Sequence, residues 1–276
     1  MPYETKTIED PLEIIREFTV SVRPDPSIVW RGQSNSEWGL IPSLFRSKPK
    51  WRDWTWASKE AALFRYFEKS NAKWVREHYA EDLLESLTLV QHHRLPTRLL
   101  DWTESPLIAL FFACLDSMDA PDKMPDGAVW LLRTNFVRFS LSREKGKRLD
   151  LLDGTSTPAI PDNTPNGLNG EFGTFLFYPH RLHARQISQF AAYTVHPNPA
   201  PQASGDLCEV LRPEEHLTRY VVPAAIKHKT FSKLWSLGMR YENLFPDAEG
   251  AAKGAKYVID VEDNSLWTET RRFGRT

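Results

Sequence analysis

"QHHRLPTRLLDWTESPLIALFFAC", residues 91–114, sets two histidines, two arginines, a proline, an aspartate and a tryptophan against an unbroken apolar run. Pro96 disfavours helix at the residue before it, so a helix carrying Leu83, Leu84, Leu87 and Val90 must stop near Gln91. Ser105 followed by Pro106 supplies an N-cap and a first helical residue, which predicts a new helix through about Leu115. That helix is apolar on nearly every side and should be buried all round. The residues between then form a polar loop at the mouth of the most buried helix. His92, His93, Arg94, Thr97, Arg98, Asp101 and Thr103 gather in it. Asp101 and Thr103 precede a helix N-terminus, where backbone N–H groups favour an anion, and Arg98 adds a fork suited to pyrophosphate. A capped helix start with Arg98 paired to Asp101 explains the same residues without a ligand.

The rest of the chain sets the frame for that loop. With 276 residues, 41% hydrophobic and 26% charged, it is an ordinary globular sequence with enough apolar material for a sizeable core. Lysine plus arginine, 35, nearly balance aspartate plus glutamate, 36, which argues against strong general adhesion to nucleic acid but leaves room for a local basic groove. Ten tryptophans suit cores and also stacking sites for flat ligands. Cys114 and Cys208 stand far apart in unlike contexts, so neither a disulfide framework nor a zinc spacing is available, and a reducing cytoplasmic setting is expected. The start, MPYETKTIEDPLEII, has no basic n-region or apolar h-region, and no apolar run reaches membrane-spanning length. No metal is expected.

Outward from the opening stretch, a short helix is predicted over 11–18, and a buried strand over 27–33 ending in Arg31, Gly32 and Gln33. A long helix from about Ser58, capped by that serine, places Phe64, Phe67, Trp74 and His78 near one face. Strands are predicted at 128–134, in TFLFYP and FAAYTVH, in TRYVVPA, and late in KYVIDV. A helix over AIKHKTFSKLWSLGM ends at Gly238. Residues 153–170 and 197–207 are Pro/Gly/Asn-rich loops. Helices dominate early and strands late without βαβ alternation, so the class is α+β, a single mixed domain. A lead-in over 1–26, the main domain over 27–252 and a C-terminal strand with a charged tail over 253–276 complete the expected layout.

Three further clusters invite chemistry. Arg31, where a buried strand emerges, needs either an ion pair with Glu37 or Asp101, or an anionic ligand. In HARQISQFAAYTVH, Arg185 and Gln189 stand before a strand carrying Tyr193 and Thr194; the Gln189 amide either reads a ligand edge or satisfies strand-end backbone. In RSKPKWRDWTW, the basic residues Arg46, Lys48, Lys50 and Arg52 alternate with Trp51, Trp54 and Trp56, a pattern suited to single-stranded nucleic acid or to a solvated loop with tryptophan anchors. P-loop, GxGxxG, HExxH and GxSxG motifs are missing.

Four blocks, VWRGQSNSEWGLIPSLFR, VQHHRLPTRLLDWTESPLIALFFAC, ARQISQFAAYTVH and LWSLGMRYENLFPD, resemble in that order the FRG domain family, over about residues 27–252. The family takes its name from a Phe-Arg-Gly motif, here Trp30-Arg31-Gly32. Its block order is similar to that of ADP-ribosyltransferases, which implies a mostly antiparallel split sheet and NAD as a substrate. On that resemblance Arg31 holds the NAD phosphates or ribose, with Gln33 and Arg98 in the same binding set. Thr103 sits by the nicotinamide ribose, and Trp102 or Tyr193 stacks on the nicotinamide. The third motif position is Gln189, where transferases use glutamate, so Asp101 or Glu171 would have to supply the carboxylate. His92 or His93 would deprotonate or orient the acceptor. The implied function is a bacterial toxin or phage-defence ADP-ribosyltransferase modifying nucleic acid, with an antitoxin as a candidate partner. A metal-independent nuclease using His92, His93 and Asp101, or a non-catalytic nucleotide sensor, are the alternatives.

Overall fold

The structure is a computed structural model; it describes residues 3–10, 13, 28–47, 49, 55–70, 83–115, 124–133, 174–180, 183–197, 206–210 and 216–260. The predicted helix over 11–18, the loop over 153–170, most of the loop over 197–207, Trp74, His78 and the tail fall outside these residues.

The fold is α+β. Strands β1 (Glu4–Thr7), β2 (Ile28–Gln33), β3 (Leu99–Thr103), β4 (Gly127–Arg133), β5 (Phe175–Phe177), β6 (Ala191–Val195) and β7 (Leu217–Val222) form one sheet in the order β1-β7-β4-β2-β3-β6-β5. Every pairing is antiparallel except β1 with β7. The helices are α1 (Trp56–Ser70), α2 (Leu83–His92), α3 (Pro106–Ala113), α4 (Ala184–Ser188), α5 (Leu207–Val210), α6 (Ala224–Ser236), α7 (Tyr241–Leu244) and α8 (Ala248–Asp260).

The opening stretch supplies the centre of this architecture. Ser105 caps α3 through its Oγ, which accepts from the Ile108 amide, and Pro106 occupies the first turn. The helix is as buried as its composition demands, with Ile108, Ala109, Leu110, Phe111 and Ala113 all enclosed. It lies on β2 because Gly32 has no side chain: a Cβ there would overlap the Ala109 carbonyl oxygen and stand 2.7 Å from Phe112 Cβ. The glycine of the Trp30-Arg31-Gly32 motif thus serves helix-on-sheet packing. Around α3, Phe111, Phe231, Trp235, Tyr241 and Tyr257 make an aromatic core on one half of the sheet. On the same face of the other half, α1 and α2 cover Leu99, Tyr193, Val195, Phe175 and Phe177. Behind the sheet, Val29, Trp102, Trp130 and Leu207 form a separate cluster.

Four expectations are corrected. The segment read as a loop between α2 and α3 contains β3, a central strand with four of its five residues buried and only Asp101 exposed, a run too short to stand out in the sequence. Residues 256–260 of KYVIDV are the end of α8, not a strand: Gly250, Gly254 and Tyr257 are buried at helical spacing, and Tyr257 packs against Trp235 at 4.3 Å between ring centroids. The lead-in contributes β1 to the sheet and Ile8 to the core, while α8 runs across the expected boundary at 252. Helix α1 is capped by Thr55, whose Oγ1 accepts from the Ser58 amide, rather than by Ser58. Gly238 closes α6 as expected, with φ of +88° just past the C-cap.

Candidate functional site

The sheet is weakest in the middle. β2 pairs with β4 along all six of its residues, but with β3 through a single register pair, Trp30 with Thr103. Beyond that pair the two strands part, and a cavity of about 270 Å³ lies over the seam. Its walls are Trp30, Gly32 and Phe112 on one side and Gln91, His92, Asp101, Thr103, Arg185, Gln189, Ala191 and Tyr193 on the other.

Arg31 spans the gap. Its register partner is Trp130, on the back of the sheet, yet its Nη1 donates to the Asp101 carbonyl at 2.6 Å and lies 3.6 Å from Asp101 Oδ2. Its Nε is buried with no hydrogen-bond partner. Burial pulls the Arg31 pKa below its ordinary value, against the opposing pull of Asp101; a guanidinium stays charged all the same. Of the two readings open from the sequence, the ion pair with Asp101 is made, and Arg31 also lines the cavity.

Asp101 is the one carboxylate among the described residues that line the cavity, facing Arg31, Arg94, Arg185 and His92. Its side chain is 61% exposed and Oδ1 accepts from Gln91 Nε2 at 2.6 Å. The orientation of the Gln91 amide follows from its other partner. Thr97 Oγ1 accepts from the Leu99 amide, so its own proton goes to Gln91 Oε1, which turns the Gln91 NH₂ toward Asp101. Residues 91–101 are thus one hydrogen-bonded unit that fixes a carboxylate at the seam.

His92 lies at the mouth, its ring stacked 5.9 Å from His183. Burial, then the positive neighbours His93, Arg185 and His183, hold its pKa below the usual histidine value. It is therefore neutral near pH 7 and able to accept a proton. His93 does not line the cavity; it is exposed and its ring sits 5.9 Å from Phe67. Of the candidate trio, His92 and Asp101 line the cavity, and the His93 ring meets that of His92 at 5.1 Å from outside it.

Several other predicted binding residues are elsewhere. Arg98 is fully buried, its Nε donating to Glu60 Oε2 at 2.7 Å and its backbone N–H to Oε1 at 3.1 Å, so it holds α1 to the start of β3 and pairs with Glu60, not Asp101. Gln33 is buried behind the sheet between the Gly39 carbonyl and the Trp130 indole N–H. Trp102 borders the cavity, but its indole belongs to the rear cluster and donates to Thr194 Oγ1 at 2.9 Å. The reason is strand alternation, which a loop reading of 99–103 could not foresee: Thr103 and Asp101 face the cavity, and Trp102 faces away. Tyr193 does line it, with burial raising its phenol pKa. Thr103 Oγ1 donates to the Gln189 carbonyl, and Gln189 Nε2 to the Leu244 carbonyl at 2.9 Å, so Gln189 is fixed in the wall by both its backbone and its amide.

Beneath the site, His196 is buried with its Nε2 2.9 Å from Thr194 Oγ1. Burial first, and then Arg31 and Arg98, depress its pKa to about 3. Of the basic-aromatic segment, Lys48, Lys50, Arg52, Trp51 and Trp54 lie outside the described residues, as does Glu171. Arg46 is exposed and donates from Nε to the Ile41 carbonyl.

Gln91 and Phe112 were not singled out by sequence, and Arg94 and Arg185 stood in the polar clusters without an assigned binding role. Arg185 is the most telling. It carries the only cation facing the cavity that has no hydrogen bond or carboxylate partner among the described residues. A signal existed: an arginine four residues before Gln189, one helical turn away.

The family model of the FRG domain matches residues 26–122, which include β2, β3, α3 and the Trp30-Arg31-Gly32 motif. That stretch is similar to the FRG domain, in line with the first two sequence blocks; the blocks at 184–196 and 234–247 lie beyond the match. No curated protein and no solved structure matches the chain.

Proposed function

We propose that the cavity over the β2–β3 seam binds NAD and transfers its ADP-ribose to an acceptor, nucleic acid before protein. In this reading the chain is a cytoplasmic toxin or phage-defence enzyme. The observation that carries the proposal is the seam itself: a parted sheet in which an arginine, a carboxylate and a neutral histidine meet an aromatic wall.

The residues present suit such a substrate. Arg31 and Arg185, against the single carboxylate Asp101, give the cavity an excess of positive charge for a diphosphate, and Tyr193, Trp30 and Phe112 supply faces and edges for a planar ring. The volume is at the small end of ligand pockets, about 300–1,000 Å³, so it encloses one nucleoside half and leaves the other over the rim. Transfer breaks the bond between nicotinamide and ribose C1′, whose electron pair leaves with nicotinamide. A lone pair of the acceptor then bonds to C1′, and the acceptor loses a proton. Asp101, in the place left without a glutamate, stabilises the positive charge that develops on the ribose. Neutral His92 takes the acceptor's proton. Gln189, already committed to Leu244, shapes the wall rather than touching charge.

Incubating the purified protein with NAD labelled in the adenosine half and, separately, DNA, RNA and protein tests this directly. Label should move to one of the nucleic acids, and Arg31→Ala or Asp101→Asn should abolish transfer in a folded protein. Shortening of nucleic acid without NAD would favour phosphodiester cleavage instead. Tight NAD binding with no turnover would favour a sensor.

A further inference from the structure

We propose that Arg185 is the phosphate-binding fork of the cavity, held ready by stacking on Phe245. The ligand class is a phosphate or diphosphate ester of a nucleoside. This deepens the reading of the cavity as a nucleotide site, and it does not depend on the transfer reaction.

The guanidinium carbon of Arg185 lies 4.5 Å from the centre of the Phe245 ring, well inside cation–π range. Stacking uses the face of a guanidinium and leaves its N–H groups, which point along the edges, for in-plane acceptors. Among the described residues none of those N–H groups has an acceptor. No carboxylate among the described residues pairs with the charge. The contrast with the other arginines near the seam is direct: Arg98 is neutralised by Glu60, Arg94 by Glu249, and Arg31 spends Nη1 on the Asp101 carbonyl.

The platform is rigid. Phe245 is 8% exposed and packs edge-on against Phe112, itself a cavity wall, at 5.9 Å between centroids. Its backbone is equally crowded, because a Cβ at Gly250 would overlap the Phe245 carbonyl oxygen and stand 2.7 Å from Phe245 Cβ. Arg185 is close enough to lower the proton affinity of both His92 and Tyr193, so its charge is felt on two walls of the cavity. Among the described residues this partly buried cation has no counter-ion, so its N–H groups are open to an anion entering the cavity. A phosphate oxygen pair matches the fork geometry, and charge-assisted bonds of this kind are the strong ones.

The test is calorimetric titration of the full chain with ADP-ribose, inorganic pyrophosphate and, as the uncharged control, adenosine. The wild type should bind ADP-ribose and pyrophosphate more tightly than adenosine. Arg185→Ala should weaken ADP-ribose by about 10- to 100-fold, the size expected for hydrogen bonds to a charged group, and leave adenosine unchanged. Arg185→Lys, which keeps the charge and loses the fork, should fall between. Phe245→Leu should weaken ADP-ribose with Arg185 intact. Equal affinity of Arg185→Ala and wild type for ADP-ribose would overturn the assignment, as would a wild type that binds neither phosphate probe. Arg185-dependent binding in a protein that leaves NAD uncleaved would uphold the fork and remove the transfer reaction.

Discussion

The two halves of the sheet are built differently. Around β4, β7 and α3 the core is apolar and aromatic, with Phe111, Phe231, Trp235 and Tyr257 stacked within about 4–6 Å of one another. Around β3 and β6 it is threaded with buried polar groups. Arg98 is locked to Glu60, Glu85 holds the backbone N–H and ring of His180 at 2.8 Å each, and Gln186 donates to Thr88 at 2.9 Å. Dispersion and area hold the first half together; they are strong but not directional. The second half depends on hydrogen bonds whose geometry sets where each backbone segment runs. Most cavity residues come from the second half: Gln91, His92, Asp101, Arg185, Gln189 and Tyr193. The aromatic half is the anchor, and the polar half is the jig that positions the site.

The contrast can be broken from either side, and the largest expected effects come from its two cores. Glu60→Ala strands the buried Arg98 charge and should cost about 3–5 kcal/mol in denaturant unfolding. Replacing both Glu60 and Arg98 by methionine should recover most of that loss; a single variant losing under about 1 kcal/mol would show the pair to be incidental. Phe111→Ala should cost about 3–5 kcal/mol as well. Its folded fraction should keep wild-type affinity for NAD, whereas an equal change at the Arg98–Glu60 pair should also weaken NAD, since β3 carries Asp101.

The next effect is the pH dependence centred on His196. Its folded pKa is depressed to about 3, against about 6.5 for an unperturbed histidine. Above about pH 6.5 neither state binds the proton, and the full contribution to stability is present. Between there and about pH 3 the unfolded chain takes the proton and the folded one does not, so stability falls by up to about 1.4 kcal/mol per pH unit. His196→Gln should flatten that slope between pH 6.5 and 4, measured as denaturant midpoints on both proteins. Parallel slopes would mean that His196 is not the group responsible.

The smallest effect is at the hydrogen bond that orients Asp101. Gln91→Leu should lower kcat for NAD cleavage by about tenfold, the scale of one hydrogen bond to a charged group, with little change in unfolding midpoint. An unchanged kcat would place Asp101 outside the reaction.

The sequence made the anchor half easier to read than the jig. Ser105-Pro106 announced α3, its composition announced its burial, and Gly238 closed α6, because caps and apolar runs are local signals. Strand β3 was missed because Leu99-Leu100-Asp101-Trp102-Thr103 is five residues with a carboxylate at its centre, where the cavity interrupts the apolar pattern. With β3 hidden, Trp102 could not be assigned to the rear face or Arg98 to Glu60, a partner 38 residues away in the chain. Arg31, Asp101, His92 and Gln189 were each legible as polar residues beside buried segments, and the resemblance to ADP-ribosyltransferases is what implied that they meet, with Tyr193, at one site. Arg185 shows the limit: its role depends on Phe245, 60 residues on, and no local pattern joins the two.

Nicotinamide release from NAD by the purified full chain, compared with Asp101→Asn, tests the central claim most directly. The account predicts release by the wild type and loss of at least about a hundredfold in the variant, which keeps its fold and its affinity for ADP-ribose; removing a single transition-state-stabilising group costs about 10²–10³. Release that is equal in the two proteins, or absent from the wild type across a range of acceptors, would contradict it.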